Sequence, residues 1–264
     1  MLKTIALISD FGNTDHYVGT MKGVMLSICP EICFVDICHE IAPQDVSHAA
    51  FVLKESYPFF PIGTIFLIVV DPGVGSRRKR LIISCEDYTF VLPDNGIIGP
   101  VFSRLNRPKV YEITEEEHFL TPASRTFHGR DIFAPVTGRL ACGFSPEKFG
   151  RRTERFNIHP FPKPVFDRES LNLSGVIVHI DHFGNIVSNI SSEDLNVFKD
   201  SIDIALGNRS ISRIIPSYSD GRPGELVALI SSGGFLEIAV AGSSAKELLG
   251  VKTGDKIIVR SEKT

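Results

Sequence analysis

Thr64-Ile65-Phe66-Leu67-Ile68-Val69-Val70, followed by Asp71-Pro72-Gly73-Val74-Gly75-Ser76-Arg77-Arg78, is the stretch around which the chain is organised. The run from Thr64 to Val70 is short, mostly apolar and bounded by Gly63 and Pro72, so it reads as a buried strand. A carboxylate, a proline and two glycines then break it sharply. Buried parallel strands present functional groups at their carboxyl ends, and Asp71 stands at such an end. Gly73 and Gly75 let the backbone turn tightly or approach a ligand closely. Two arginines close the loop, so a carboxylate and a guanidinium can fold back on one another. A plain turn capped by a solvated salt bridge fits the same residues.

Working outward, Thr4 to Ser9 reads as a strand and Asp10-Phe11-Gly12-Asn13-Thr14-Asp15-His16 as a polar loop. From Tyr17 to Cys29 the apolar residues Val18, Met21, Val24, Met25 and Ile28 recur at helical spacing, and Pro30 ends the run. Phe34 to Ile37 is a short strand, and Asp45 to Tyr57 a second helix. Strand, helix, strand, helix, strand predicts an α/β domain with a central, mainly parallel sheet covered by helices. Arg80 to Ser84, Tyr88 to Leu92 and Lys109 to Ile113 add strand candidates, Ile97 to Leu105 a short helix, and Ile132 to Leu140 a longer one with Pro135 near its start.

The character changes after residue 156. Asn157-Ile158-His159-Pro160-Phe161-Pro162-Lys163-Pro164 has prolines at alternate positions and predicts a stiff extended linker over 157–170. Beyond it, Ser174–Ile180, Ile186–Ile190, Ile202–Leu206, Ser210–Ile215, Glu225–Ser231, Phe235–Val240 and Lys256–Arg260 read as strands separated by Gly, Asn and Asp turns. The expected division is an α/β domain over 1–156 and an all-β barrel domain over 171–264.

The 264 residues are 43% apolar and 22% charged, ordinary for a packed soluble core. A net charge of −3 carries no footprint for nucleic acid or an anionic membrane. No apolar run approaches the roughly 20 residues that span a bilayer. Met1-Leu2-Lys3-Thr4 runs directly into a strand without a signal-peptide pattern, so the expected compartment is the cytoplasm. Five cysteines, an odd number, then read as reduced thiols, with a zinc site at Cys29, Cys33 and Cys38 as the alternative.

The loops of the first domain hold Asp10, Asp15, His16, Asp71, Arg78, Asp94, Asn95, His128, Arg130 and Asp131. Convergence of several at one sheet edge would make a site. Asp10 and Asp15 also suit helix capping before Tyr17, and for Asp131 a cap of the following helix is the favoured reading. In the second domain Asp181-His182-Phe183-Gly184-Asn185 leaves a strand with a carboxylate, an aromatic, a glycine and an amide. An amide can pair with a purine edge and an aromatic can stack on its face, although a hairpin turn uses the same residues. Ser231-Ser232-Gly233-Gly234-Phe235-Leu236-Glu237 offers hydroxyls and backbone amides for a carboxylate.

These motifs together resemble the S-adenosyl-L-methionine hydroxide adenosyltransferases, relatives of the fluorinase and chlorinase enzymes. The resemblance rests on Ser9-Asp10-Phe11-Gly12 with Asp15, Val70-Asp71-Pro72-Gly73-Val74-Gly75, Pro93-Asp94-Asn95-Gly96, Phe127-His128-Gly129-Arg130-Asp131, and Phe183-Gly184-Asn185 preceded by Asp181. It implies hydrolysis of S-adenosyl-L-methionine to adenosine and L-methionine by activated water at the ribose 5′ carbon. Asp71, Arg78 and His128 are the implied catalytic set, with Arg77 adjoining Arg78. Asp10 matches the ribose carboxylate, Asp181 and Ser232 the groups that hold the methionine part, and Asn185 and Phe183 the adenine contacts. Glu237 completes the expected substrate-binding set. Gly233 departs from the halogenases, which have arginine there. The resemblance further implies a homotrimer whose sites lie between subunits, with no metal and no cofactor, since S-adenosyl-L-methionine is the substrate. A metal-dependent phosphohydrolase using Asp10, Asp15, Asp71 and His128, and a non-catalytic adenosine sensor, are the alternatives from other classes.

Overall fold

The structure is a computed structural model that describes residues 2–198 and 202–261. It divides into two compact units, Met1–Pro160 and Phe161–Thr264.

The first unit is a six-stranded sheet with helices on both faces. Its strands are β1 (Lys3–Ser9), β2 (Ile32–Cys38), β3 (Ile65–Val69), β4 (Arg80–Ser84), β5 (Thr89–Pro93) and β6 (Lys109–Glu112). They lie in the order β2-β1-β3-β5-β4-β6. Helices α1 (Tyr17–Ile28), α2 (Val46–Ser56), α3 (Gly99–Phe102) and α4 (Ala134–Ala141) join them. All five residues of β3 are buried, as an apolar run covered on both faces requires. Alternate residues of β1 serve opposite faces. Ile5 and Leu7 pack with Met21, Met25, Ala134 and Val136 of α1 and α4, whereas Ala6 and Ile8 pack with Ala49, Leu53 and Val101 of α2 and α3. Asp45, placed inside the second helix by its sequence pattern, is the cap: its Oδ1 accepts the His48 N–H at 2.9 Å.

The sheet is mixed: the expectation of a mainly parallel one holds for β2, β1, β3, β5 and β6, which run the same way, and fails at β4 alone. Pairings β1–β2, β1–β3 and β3–β5 are parallel, but β4 runs antiparallel to both β5 and β6. The reason is the short loop between β4 and β5, where the Cys85 N–H donates to the Tyr88 carbonyl at 2.9 Å. So tight a turn allows only an antiparallel pair, whereas a parallel crossover needs a dozen or more residues.

The second unit is an antiparallel sheet of β7 (Val165–Asp167), β8 (Asn172–Ile180), β9 (Ile186–Ser191), β10 (Ile202–Leu206), β11 (Arg209–Ile211), β12 (Leu226–Ile230), β13 (Phe235–Val240) and β14 (Lys256–Ser261), with helix α5 (Ala245–Leu249) after β13. The order is β11-β10-β14-β8-β9-β13-β12, and β7 pairs with β8. The chain leaving β11 returns to the far edge, where Ile214 bridges Ala228 and the Ile215 N–H donates to the Ala228 carbonyl at 2.8 Å. The sheet is thereby a nearly closed barrel around Leu173, Ile177, Ile186, Ile204, Leu236, Ile238 and Ile257. The stretch expected as linker is shared between the units. Asn157 donates its N–H to Asp94 of the first unit at 2.6 Å, and Val165–Asp167 is a strand of the second.

Candidate active site

Strand β1 has β2 on one side and β3 on the other, and the chain visits β2 before crossing to β3. The strand order therefore reverses between β1 and β3. In open α/β sheets ligands bind outside the carboxyl ends of the strands at such a reversal. Asp10 follows the end of β1 and Asp71 follows the end of β3, so the two carboxylates flank this point.

The loop after Asp71 folds back through successive turns, with the Val74 N–H on the Asp71 carbonyl at 3.1 Å and the Ser76 N–H on the Gly73 carbonyl at 3.1 Å. Gly75 has φ +76°, and a Cβ there would lie 2.5 Å from the Arg125 carbonyl oxygen. Only glycine suits this position, where the loop presses against the segment carrying His128. Arg78 is the hub. Its Nε donates to Asp71 Oδ1 at 2.7 Å, its Nη2 donates to Asp71 Oδ2, and Nη2 also lies 2.9 Å from His128 Nδ1. The guanidinium stands over the Phe133 ring at 5.4 Å. The Arg78 and Asp71 side chains are only 9% and 6% exposed, so the pair is fork-to-fork and largely out of water. Arg77 is exposed.

His128 enters a single π-helical turn, Gly129–Phe133, that runs into α4. Such turns concentrate at functional sites. Asp131 lies in that turn and is buried. Its carboxylate accepts the Ser124 N–H at 2.8 Å and Arg130 Nε at 2.6 Å. It therefore anchors the loop before His128 and does not cap the helix, a correction that follows from the helix starting one turn earlier. Burial holds the His128 pKa below the usual histidine value; the Arg78 and Arg80 cations act in the same direction, and Asp71 and Asp131 oppose them. With the Arg78 N–H directed at Nδ1, the neutral ring carries its proton on Nε2.

Asp10 does not cap α1. Its Oδ2 accepts the Gln44 N–H at 2.8 Å, and the cap position, His16, makes no side-chain cap hydrogen bond. Asp94 and Asn95 are structural: Asp94 holds Asn157, and Asn95 Nδ2 donates to the Val70 carbonyl at 2.8 Å. An aromatic cluster of Phe11, Tyr17 and Phe127 stands between the Asp10 loop and His128, with Tyr17 and Phe127 ring centroids 5.1 Å apart. No sequence pattern distinguishes it from core residues.

In the second unit a cavity of about 780 Å³ is lined by Asp181, Phe183, Asn185, Tyr218, Ser243 and Ser244, among others. That volume suits a ligand of nucleoside size. The hairpin reading holds as well, since the Asp181 N–H donates to the Asn185 carbonyl at 3.0 Å. Asp181 Oδ1 accepts the N–H groups of Phe183 at 2.9 Å and Asn185 at 2.8 Å, and Oδ2 accepts Asn185 Nδ2 at 2.9 Å. The turn thereby fixes the Asn185 amide at the wall of the cavity. Phe183, 75% exposed, stands at the cavity with its ring face available. Gly184 has φ +84°, and a Cβ there would strike Ser244 Oγ at 2.1 Å.

Glu237 and Ser232 do not line this cavity. Glu237 is 4% exposed and is reached through Tyr218, whose hydroxyl donates to Glu237 Oε1 at 2.5 Å. Burial raises the pKa of both groups. Ser232 is exposed in the β12–β13 turn, where Ser231 makes the closing hydrogen bonds with Phe235 and Gly234. Tyr218, Ser243 and Ser244 are among the lining residues that the sequence reading missed; nothing near Ser217-Tyr218-Ser219 or in the turn after Val240 marks them. Among the described residues, no three His, Cys, Asp or Glu side chains are placed to hold a metal ion, and the five cysteines are unpaired by disulfides. No helix among them is long and apolar enough to cross a membrane.

Residues 5–150 match the family model of the SAM hydroxide adenosyltransferase N-terminal domain, and residues 175–258 match that of its C-terminal domain. The chain is 33% identical over 256 residues to the (R)-S-adenosyl-L-methionine hydrolase of Salinispora tropica, covering 97% of each chain. It is 29% identical to a fluorinase of Nocardia brasiliensis, covering 97% of this chain and 96% of that one. A solved structure of an uncharacterized conserved protein from Thermotoga maritima superposes with a TM-score of 0.89 at 36% identity, covering 97% of this chain and 99% of that chain. Two domain models spanning most of the chain, and full-length relatives of this kind, place the protein in the SAM hydroxide adenosyltransferase family.

Proposed function

We propose that the chain hydrolyses S-adenosyl-L-methionine to adenosine and L-methionine, with Asp71, Arg78 and His128 acting on the attacking water. The observation that carries this reading is the single guanidinium of Arg78 joining a buried carboxylate to an imidazole at the switch point of the sheet. The water oxygen attacks the ribose 5′ carbon, the carbon–sulfur bond breaks, and its electron pair returns to the sulfonium sulfur. One water proton leaves. With Nδ1 occupied by Arg78, His128 presents Nε2–H as a donor that orients the water. Asp71 is then the proton acceptor, and Arg78 favours the hydroxide form electrostatically. A cationic sulfonium and an anionic nucleophile lose charge as they react, so exclusion of bulk water speeds the step. The same Asp71 would repel a bound halide, which argues against halogenation.

Asp10 binds the ribose hydroxyls in this reading. Phe183 stacks on the adenine and Asn185 pairs with its edge. Asp181 and Ser232 hold the methionine part, and Glu237 contributes through Tyr218. No metal or cofactor takes part. Ribose and adenine groups on separate units fit a cytoplasmic homotrimer in which each site draws on two subunits. Incubation in ¹⁸O-labelled water tests the reaction: label must appear in the adenosine 5′ hydroxyl. Unlabelled adenosine, or methylthioadenosine as product, refutes it.

A further inference from the structure

Ser9 closes β1 and is completely buried, with its Oγ 2.7 Å from His39 Nδ1. His39, 4% exposed, places Nε2 at 3.0 Å from Asp36 Oδ1. Asp36 in turn accepts from Lys22 Nζ of α1 at 2.6 Å. With Nε2–H given to Asp36, Nδ1 accepts from the Ser9 hydroxyl, and the Ser9 oxygen accepts the Phe11 N–H at 3.4 Å. Every donor in the chain then has an acceptor, as buried polar groups require. The order Ser–His–Asp is that of a nucleophilic triad, but a serine with no exposed surface cannot meet a substrate. The chain leads instead to the loop beside it. The Gly12 N–H donates to the His39 carbonyl at 2.8 Å, and the Gln44 N–H donates to Asp10 Oδ2 at 2.8 Å. Gln44 makes that bond from φ +65°, a left-handed conformation that a non-glycine residue holds only when its surroundings impose it. The loops after neighbouring strands β1 and β2 are thus stitched together on both sides of Asp10.

We propose that His39 is a positioning residue for Asp10: through Ser9 and Asp36 it sets the loop from which the Asp10 carboxylate meets the ribose hydroxyls. The proposal rests on the reading of Asp10 as the ribose ligand. An apolar pair would fill the same space without desolvating an imidazole and a hydroxyl, so packing alone does not account for the arrangement.

The test is calorimetric affinity of the whole protein for adenosine and for 2′,3′-dideoxyadenosine, which lacks the hydroxyls. The variants are Asp10→Asn, His39→Leu combined with Ser9→Ala so that no buried hydroxyl is orphaned, and His39→Asn. Removing the relay should lower adenosine affinity about tenfold, the size of one hydrogen bond to a charged group. Dideoxyadenosine affinity should stay unchanged, and His39→Asn, which keeps an amide facing Ser9, should recover part of the loss. If Asp10→Asn leaves the preference for adenosine intact, the ribose reading of Asp10 fails. If Asp10→Asn abolishes the preference while the relay variants retain it, the positioning role is overturned. Equal loss for both nucleosides overturns it too, because a general loss of structure does not discriminate hydroxyls. Should the double variant not fold, Asp36→Asn and His39→Asn carry the same comparison, an unchanged preference counting against the proposal.

Discussion

Replacing Arg78 by lysine keeps one positive charge and removes the fork, which makes it the sharpest probe of the site. Arg78 gives two nitrogens to Asp71, and one of them also reaches His128 Nδ1. A lysine ammonium is a compact point charge and cannot hold both carboxylate oxygens and the imidazole in that geometry. At least one charge-assisted hydrogen bond to a carboxylate 6% exposed is lost. That costs about 1.5–3 kcal/mol, roughly 4–10 °C in Tm for a unit of this size. Arg78→Ala leaves Asp71 buried and unpaired, at about 3–5 kcal/mol. The catalytic loss should exceed the stability loss, with kcat falling about 10²–10⁴-fold because the water loses its positioned acid–base group. Adenosine affinity should stay near its original value, since the proposed reading assigns the nucleoside to Asp10, Phe183 and Asn185. Chromatographic assay of adenosine release, calorimetry with adenosine and thermal unfolding measure the three quantities. Exposed Arg77→Ala should change none of them. If Arg78→Lys keeps kcat, or Arg77→Ala loses it, Arg78 is not the hub and the assignment of the site is wrong.

Four further outcomes are expected. His128 has its pKa held below the usual value, so the unfolded chain takes up its proton first as pH falls; stability should decline below about 6.5, the acid limb of kcat/KM should lie at lower pH than that, and Arg80→Met, by removing a cation near the ring, should move the limb to higher pH. The double replacement Asp71→Ala with His128→Ala should cost far less in kcat than the product of the singles, as residues acting in one unit do. Glu237 has its pKa raised by burial, so its ionisation costs stability above the ordinary carboxylate range; Glu237→Gln should raise Tm more at pH 8 than at pH 4 in calorimetric scans, and an equal change at both would show that the carboxyl is not strained by charge. Mixing inactive Asp10→Ala and inactive Asn185→Ala chains should restore activity if sites draw on two subunits, and full activity of a monomer in solution scattering would rule that arrangement out.

Much of this protein is readable from its residues in order. The period of the apolar positions identifies β1, α1, α2 and β3, because helices and strands bury faces at fixed intervals, and the runs of Gly, Pro and Asp mark the loops where chemistry collects. Asp71, Arg78 and His128 stand out as residue types suited to activating water, and the Asp181–Asn185 turn as a holder for a base. The tertiary structure alone decides which groups meet. The choice of Arg78 over Arg77 depends on how the turns through Gly73 and Gly75 aim one side chain inward and leave the other exposed. Asp131 becomes a loop anchor because a π turn carries it past the cap position. β4 reverses direction because a short hairpin permits nothing else, and β7 appears where prolines suggested only a spacer. Ser9 finds His39 because β1 and β2 are adjacent, a fact of sheet order with no trace in local sequence. Local propensity acts over a few residues, whereas hydrogen-bond partners thirty or fifty positions apart are set by topology.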